Sequence, residues 1–187
     1  MIKRLLAVLP LAALLLSGCG DNAKTDNDPK TLLKAAVAAQ AKGQDDAAIG
    51  MFNELLKKEP GNVIAHYNLG VIYQKRNQID AALREYGAAL TTNASYVPAL
   101  FNTATIYGNT DPPLAITTYR KVISLQPNAP TAYLNLGLLE LGSGLEAQGI
   151  RDLTTALHQD PTLSSRLTPQ VKAKVGKGTS PSPSASP

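Results

Sequence analysis

The chain has 187 residues, of which 44% are hydrophobic, and it contains one cysteine and no tryptophan. Its formal net charge is +4 at pH 7, a sign that often accompanies nucleic-acid binding. However, residues 30–161 hold eleven basic and eleven acidic side chains, so this region is neutral and we expect no nucleic-acid partner. A lone cysteine also excludes a disulfide framework within the chain.

The first 18 residues have the features of an export signal. Lys3 and Arg4 precede an apolar stretch at 5–16, and its 12 residues are too few for a membrane-spanning helix. The stretch ends in the motif LSGC at 16–19, which resembles the bacterial lipobox. This resemblance implies cleavage after residue 18 and acylation of Cys19, for example with palmitate. The alternative is an ordinary secretory signal, in which Cys19 is incidental, removed or a free thiol.

Lipidation of Cys19 predicts where the protein is located. Two or more acyl chains anchor a protein stably to a membrane. Residues 19–29 are mostly polar after the cysteine and are predicted to be a flexible tether. The protein is therefore expected to be extracytoplasmic and lipid-anchored to a bacterial membrane. Because Gly20, and not aspartate, follows Cys19, we expect the outer membrane if the cell has one, and otherwise the outer face of the cell membrane.

After the tether, apolar residues recur at the helical spacings of three and four. Gly43, Asn77 and Gly144 fall where turns are needed, while Pro98 and Pro130 fall where helices begin. The pattern predicts eight helices in four pairs, at 30–42 with 45–58, 63–76 with 79–92, 97–108 with 112–125, and 130–142 with 146–159.

Three sets of residues recur at intervals of 34, 33 and 34 residues. A period in this range is typical of a solenoid, in which each unit buries its apolar face against its neighbours. The sets are Phe52, Tyr86, Tyr119 and Leu153; Ala48, Ala82, Ala115 and Gly149; and Pro60, Ala94, Pro127 and Pro161.

The second unit resembles a tetratricopeptide repeat (TPR). It has HYNLG at 66–70 and Tyr73 in its first helix, followed by Ala82, Tyr86 and Ala89 in its second. The other units follow the same pattern, although the first lacks the usual aromatic residue. The resemblance implies an all-α fold, a right-handed α-solenoid of about four TPR helix pairs with a short C-terminal capping segment. The predicted TPR domain is 30–161, with units at about 29–62, 63–96, 97–129 and 130–163.

The C-terminal residues divide into two segments. Residues 162–175 are predicted to contain a capping helix, although Pro169 interrupts a continuous helix there. Residues 176–187 are rich in serine and proline and are predicted to be disordered.

Few features indicate catalysis. His66 and His158 lie far apart, and neither is accompanied by cysteines or carboxylates at metal-ligand spacing. The glycine-rich stretch at 142–144 lacks a preceding strand and is typical of a helix–helix turn. We therefore expect no enzyme activity, no metal, no cofactor and no small-molecule substrate.

Three asparagines hold the same position in successive first helices. Asn68, Asn102 and Asn135 are separated by 34 and 33 residues. In the TPR family this position faces a concave groove, and the resemblance implies that such amides bind the backbone of an extended peptide. An amide both donates and accepts hydrogen bonds, so it can pair with any peptide unit. Alternatively, these asparagines are simply solvated. The same groove is expected to carry Lys30, Leu33, Lys34, Tyr67, Val71, Gln74, Phe101, Thr105, Leu134 and Leu138.

These observations lead to two hypotheses about function. The first is a membrane-anchored scaffold of the cell envelope that binds segments of other proteins in the groove. The second is an accessory or regulatory subunit that docks onto an envelope enzyme, or onto a secretion or assembly complex, through its convex face.

Overall fold

The computed structural model describes residues 28–178, in which helices predominate and no strand is present. Four helix pairs are followed by a 3-10 turn and a ninth helix. Their bounds are α1 Pro29–Ala41, α2 Asp45–Lys58, α3 Val63–Lys75, α4 Ile79–Thr92, α5 Val97–Thr110, α6 Pro112–Leu125, α7 Pro130–Gly142, α8 Glu146–Gln159, the 3-10 turn Pro161–Arg166 and α9 Pro169–Gly178. In this part of the chain no helix is long and apolar enough to cross a membrane. The expected signal segment, Cys19 and nearly all of the tether lie outside the described residues.

The eight predicted helices are confirmed, and each end lies within two residues of its expected place. The two-residue difference is at the end of α5, which continues to Thr110. The third unit has one residue between its helices, where the other units have three, so Asp111 both ends α5 and caps α6. Its side-chain Oδ1 accepts a hydrogen bond from the N–H of Leu114 at 3.1 Å.

Residues with left-handed backbone angles make the turn inside the other three units. Gly43, Asn77 and Gly144 have φ angles of 73°, 58° and 78°. Glycine adopts this region without steric cost, and asparagine tolerates it better than most residues. These three residues hold equivalent places in their units, so each helix pair reverses direction through the same kind of turn.

Small residues allow the two helices of a unit to approach closely. A Cβ atom added at Gly70 would lie 2.5 Å from a ring carbon of Tyr86. In the fourth unit, a Cβ at Gly137 would lie 2.8 Å from the backbone oxygen of Gly149, and one at Gly149 would lie 2.7 Å from that of Gly137. These distances are too short for a side chain, so the register of small residues fixes the helix crossings.

Large residues fill the space where the helix pairs stack. Phe52, Tyr86, Tyr119 and Leu153, which recur along the sequence, are all buried. Each belongs to a cluster that includes apolar residues of both its own helix pair and a neighbouring element. Burial of such side chains is the main stabilising contribution in a solenoid.

The C-terminal segment covers the open end of the fourth unit. Pro169 is the first residue of α9, a position where proline is tolerated because the first turn needs no hydrogen bond from its backbone nitrogen. Leu163, Leu167 and Val175 are buried against the last helix pair. Helix α9 continues to Gly178, so the prediction that disorder begins at 176 is wrong. Packing of Val175 holds the final turn on the core.

A buried carboxylate replaces an aromatic residue in the fourth unit. Glu140 holds the position of Tyr73 and Tyr107, and its side chain is fully buried. Its Oε1 accepts a hydrogen bond at 2.7 Å from Nη2 of Arg120, which belongs to the third unit. Burial raises the pKa of the neighbouring Asp152 to about 6, and the Glu140 carboxyl adds to the increase.

Candidate functional site

The inner wall of the solenoid is formed by the first helices of the units, α1, α3, α5 and α7. Helix α1 contacts α3, and α5 contacts α7, more extensively than successive second helices contact one another in the described chain. Curvature brings the helices of an inner wall together and separates those of the outer face. The surface that was predicted to be a groove is therefore the surface on the inside of the curve.

The inner wall exposes no carboxylate within the described residues. Helices α1, α3 and α5 contain no acidic residue, and the one in α7, Glu140, is fully buried. Lys30 and Lys34 are exposed at the N-terminal end, as expected from the sequence. Lys75 also lies on α3, but its Nζ donates to Oδ2 of Asp45 at 2.9 Å. The wall is therefore neutral along most of its length and positive at one end.

Asn102 is part of a hydrogen-bonded rung between the second and third units. Its Nδ2 donates to the hydroxyl of Tyr86 at 3.1 Å, and this hydroxyl donates to Oε1 of Gln74 at 2.7 Å. Burial raises the pKa of Tyr86 to about 12, so the hydroxyl stays protonated at neutral pH. We call this set the Tyr86 rung.

Asn135 makes the equivalent rung between the third and fourth units. Its Nδ2 donates to the hydroxyl of Tyr119 at 3.0 Å, and the same hydroxyl lies 2.8 Å from Oγ1 of Thr105. Burial raises the pKa of Tyr119 as well. We call this set the Tyr119 rung.

Asn68 makes no rung, because the preceding unit lacks the hydroxyl. The residue in the register of Tyr86 and Tyr119 is Phe52, and the Nδ2 of Asn68 donates instead to the carbonyl of Ile64 in its own helix, at 2.8 Å. The three asparagines are thus in register, as predicted, but each already uses one amide N–H within the protein. The sequence indicates this difference, because an asparagine bonds to the preceding unit only where that unit has tyrosine, and not phenylalanine, in this register.

Two predicted groove residues, Tyr67 and Phe101, both line an apolar cavity of about 350 Å³. The ring of Phe101 meets Tyr119 edge-on, with centroids 5.5 Å apart, and Tyr67 meets Tyr96 in the same way at 5.4 Å. The cavity is lined by Tyr67, Val97, Pro98, Phe101, Asn102, Val122, Gln126, Ala129, Pro130, Thr131 and Ala132. Its size and lining suit a large apolar side chain.

The prediction that Leu134 lines the open groove is wrong. It lies in the register of Tyr67 and Phe101, but its side chain is fully buried in the cluster that contains Leu163. The capping segment packs against the fourth unit and covers this position. Val71 is half-buried against the core of the second unit.

Arg166 is a candidate site residue that the repeat pattern does not indicate. It ends the 3-10 turn and lines a second cavity, of about 310 Å³, together with Thr105, Asn109, Tyr119 and Asn135. The electrostatic effect of Arg166 lowers the pKa of Tyr119, against the larger effect of burial. No spacing in the sequence could indicate that a residue after the last repeat reaches the inner wall.

Comparison with known families agrees with this architecture. A family model described as tetratricopeptide repeat matches residues 33–106, and one described as TPR repeat matches residues 113–144. This chain is a tetratricopeptide repeat protein. The TPR units supply the helix pairs, and the inner wall described above is made from their first helices.

Individual relatives resemble this TPR protein at identities of 16–28%. It is 28% identical over 161 residues to the BBSome complex member BBS4 of Bos taurus, a match that covers 86% of this chain but only 29% of BBS4. Among solved structures, MamA is 25% identical, with a TM-score of 0.65 over 78% of this chain and 81% of MamA. YrrB, described as a TPR protein with an unusual peptide-binding site, is 16% identical, with a TM-score of 0.69 over 82% of this chain and 77% of YrrB. The likeness to YrrB shows the fold alone.

Proposed function

We propose that this TPR protein is a scaffold of the bacterial cell envelope that binds extended segments of other proteins on its inner wall. TPR units support a role in protein–protein interaction. The observation that carries the proposal is the apolar cavity beside Tyr67 and Phe101, which is a ready-made pocket for one large side chain. Polar groups of Asn102, Gln126 and Thr131 at the same cavity can pair with a peptide backbone.

In this proposal Asn102 and Asn135 bind the peptide mainly through their carbonyl oxygens and not through the whole amide group. One N–H of Asn102 and one of Asn135 hold tyrosine hydroxyls, whereas their carbonyl oxygens accept no hydrogen bond within the described residues. Each amide therefore keeps an acceptor for an incoming backbone N–H. YrrB, a TPR protein of similar fold, is described as having a peptide-binding site, which supports a peptide ligand here.

Peptide selection tests this proposal. Peptides of twelve residues are selected from a random phage library on the wild-type protein, and their affinities are then measured for Tyr67→Ala. Tyr73→Ala is the matched control, because it truncates a half-buried tyrosine of the same helix that lies at a different cavity. We expect Tyr67→Ala to weaken binding at least about tenfold and Tyr73→Ala to change it little. Equal losses in both variants would contradict the proposal.

Membrane anchoring through Cys19 forms a separate part of the proposal. Its support is the LSGC motif at 16–19 and the position of α1, which begins at Pro29. Ten residues span at most about 35 Å when fully extended, so an acylated Cys19 would keep the inner wall close to the lipid surface. We expect an alkyne fatty-acid analogue to label the wild-type protein in cells and Cys19→Ser to remain unlabelled. Equal labelling of both proteins would show that lipid is attached elsewhere.

A second candidate function is docking through the outer face. Leu114 and Leu125 on α6, a second helix, are 40% and 42% exposed, which gives that face apolar contact points. This candidate predicts that a double Leu114→Ser and Leu125→Ser variant loses its partner in cells, whereas Tyr67→Ala retains it. The opposite pattern supports the inner wall.

A further inference from the structure

The second cavity on the inner wall contains a positive charge and no negative charge. Arg166 lines it together with hydroxyl, amide and apolar groups, and none of its lining residues is acidic. Arg166 is exposed and forms no ion pair or side-chain hydrogen bond within residues 28–178. An exposed guanidinium beside amide groups is a suitable partner for a carboxylate.

The two cavities lie along the same boundary between adjacent units, where α5 faces α7. We call such a boundary between successive units a seam. Helix α5 lines the apolar cavity through Phe101 and Asn102, and it lines the second cavity through Thr105 and Asn109. On α7 the lining residues shift in the same direction along the chain, from 130–132 to 135–139. At a rise of 1.5 Å per helical residue, the cavity centres are roughly 10 Å apart. An extended peptide covers this distance in about three residues.

We propose that the inner wall recognises an extended segment in which a large apolar side chain lies about three residues from an aspartate or glutamate. The apolar side chain enters the cavity beside Phe101, and the carboxylate pairs with Arg166. This inference rests on the proposed function and adds the chemical class of the ligand. The capping segment thus has a second role, because it contributes the charge that the repeats themselves do not provide at this seam.

Charge complementarity over the rest of the wall favours the same ligand. No carboxylate is exposed on α1, α3, α5 or α7, so an acidic segment meets no repulsion along the described inner wall. Lys30 and Lys34 extend the positive charge at the other end. A basic segment would have no partner on this surface.

Labelled peptides titrated into the full chain, purified in detergent, test this inference by fluorescence anisotropy. The probe is GSEGSFGSEGS, acetylated and amidated so that no terminal carboxylate contributes. Its acidic residues flank phenylalanine on both sides, so either binding direction satisfies the spacing. The comparison peptides are GSQGSFGSQGS and GSEGSAGSEGS. We expect the glutamate probe to bind about three- to tenfold more tightly than the glutamine peptide, and the alanine peptide to bind most weakly.

Arg166→Gln should remove the preference for the glutamate probe while leaving the affinity for the glutamine peptide unchanged. Lys172→Gln is the matched control, because it removes an exposed charge from the same capping segment, outside the cavity, and should retain the preference. Thermal unfolding of both variants checks that the cap remains folded. A preference that survives in Arg166→Gln, or its absence in the wild type, would overturn this inference and leave the proposed function standing. No binding of any peptide up to 1 mM would overturn both.

Discussion

The seam between the first two units and the two later seams are connected by different interactions. At the later seams, the partly buried Tyr86 and Tyr119 rungs join one unit to the next through the hydrogen bonds from Asn102 to Tyr86, at 3.1 Å, and from Asn135 to Tyr119, at 3.0 Å. At the first seam, Phe52 offers no hydroxyl, and ion pairs on the surface link α3 to α2 instead. Hydrogen bonds between neutral groups are insensitive to salt, whereas exposed ion pairs are screened. The N-terminal unit should therefore be the one that separates first from the array.

Tyr119→Ala should produce the largest loss of stability at a later seam. It removes a buried ring that packs between α5, α6 and α7, and it removes the hydroxyl of the Tyr119 rung. We expect the free energy of unfolding to fall by about 3–5 kcal/mol, measured by urea denaturation followed by far-ultraviolet circular dichroism. A loss below about 1 kcal/mol would show that this seam does not hold the array together.

Asn102→Ala and Tyr86→Phe isolate the hydrogen bonds of a rung from the packing of its ring. Each should lower the free energy of unfolding by about 1 kcal/mol. The double variant should lose less than the sum of the two, because both single changes remove the same bond. Asn68→Ala is the matched control at the first seam, where the amide donates its hydrogen bond to Ile64 of its own helix, and it should cost less. Additive losses would show that Asn102 and Tyr86 do not share a hydrogen bond.

Acidity should change the stability of the fourth unit. Burial raises the pKa of Asp152 from 3.8 to about 6 in the folded protein, so the folded state binds its proton more tightly than the unfolded state. The stabilisation that comes from protonating Asp152 is complete below pH 3.8, and it is lost as the pH rises to about 6. The size of the change is limited, because Asp152 is only partly buried. Comparing Asp152→Asn with the wild type in urea at several pH values measures the difference. A constant difference across that window would contradict the pKa shift.

Salt should weaken the first seam, and a mutation that removes one of its ion pairs should lower the free energy of unfolding only slightly. Lys75→Ala removes the bond to Asp45, and we expect a loss below about 1 kcal/mol that disappears in 1 M sodium chloride. Hydrogen exchange in α1 should increase with salt, whereas exchange in α5 and α6 should not. Equal changes at both places would mean that the seams are equivalent.

The sequence predicted the helices well, because their ends depend on local features. Gly43 and Asn77 provide left-handed turns, and Pro130 begins a helix wherever the rest of the chain lies. The inner-wall register of the asparagines follows from the 34- and 33-residue spacing and is likewise independent of long-range contacts.

Features that depend on contacts between distant residues could not be predicted in the same way. Leu134 matches Tyr67 in register, yet the capping segment buries it. The repeat register places Glu140 where Tyr73 and Tyr107 stand in the earlier units, but it does not identify Arg120, 20 residues earlier, as the partner of the carboxylate. Arg166 reaches the inner wall from outside the repeats. The places of Leu134 and Arg166 depend on how the last unit packs against the cap, and the Arg120–Glu140 bond depends on how it packs against the third unit. A repeat pattern contains neither kind of contact.

In-cell photo-crosslinking tests most directly whether the inner wall binds a protein segment. A photoreactive residue is placed at Tyr67 on the inner wall, or at Arg84 on a second helix as the control, in the full-length protein in its own cells. We expect a discrete crosslinked partner from position 67 that is lost when Phe101→Ala is added, and no such partner from position 84. A partner captured from position 84 but not from position 67 would contradict binding on the inner wall.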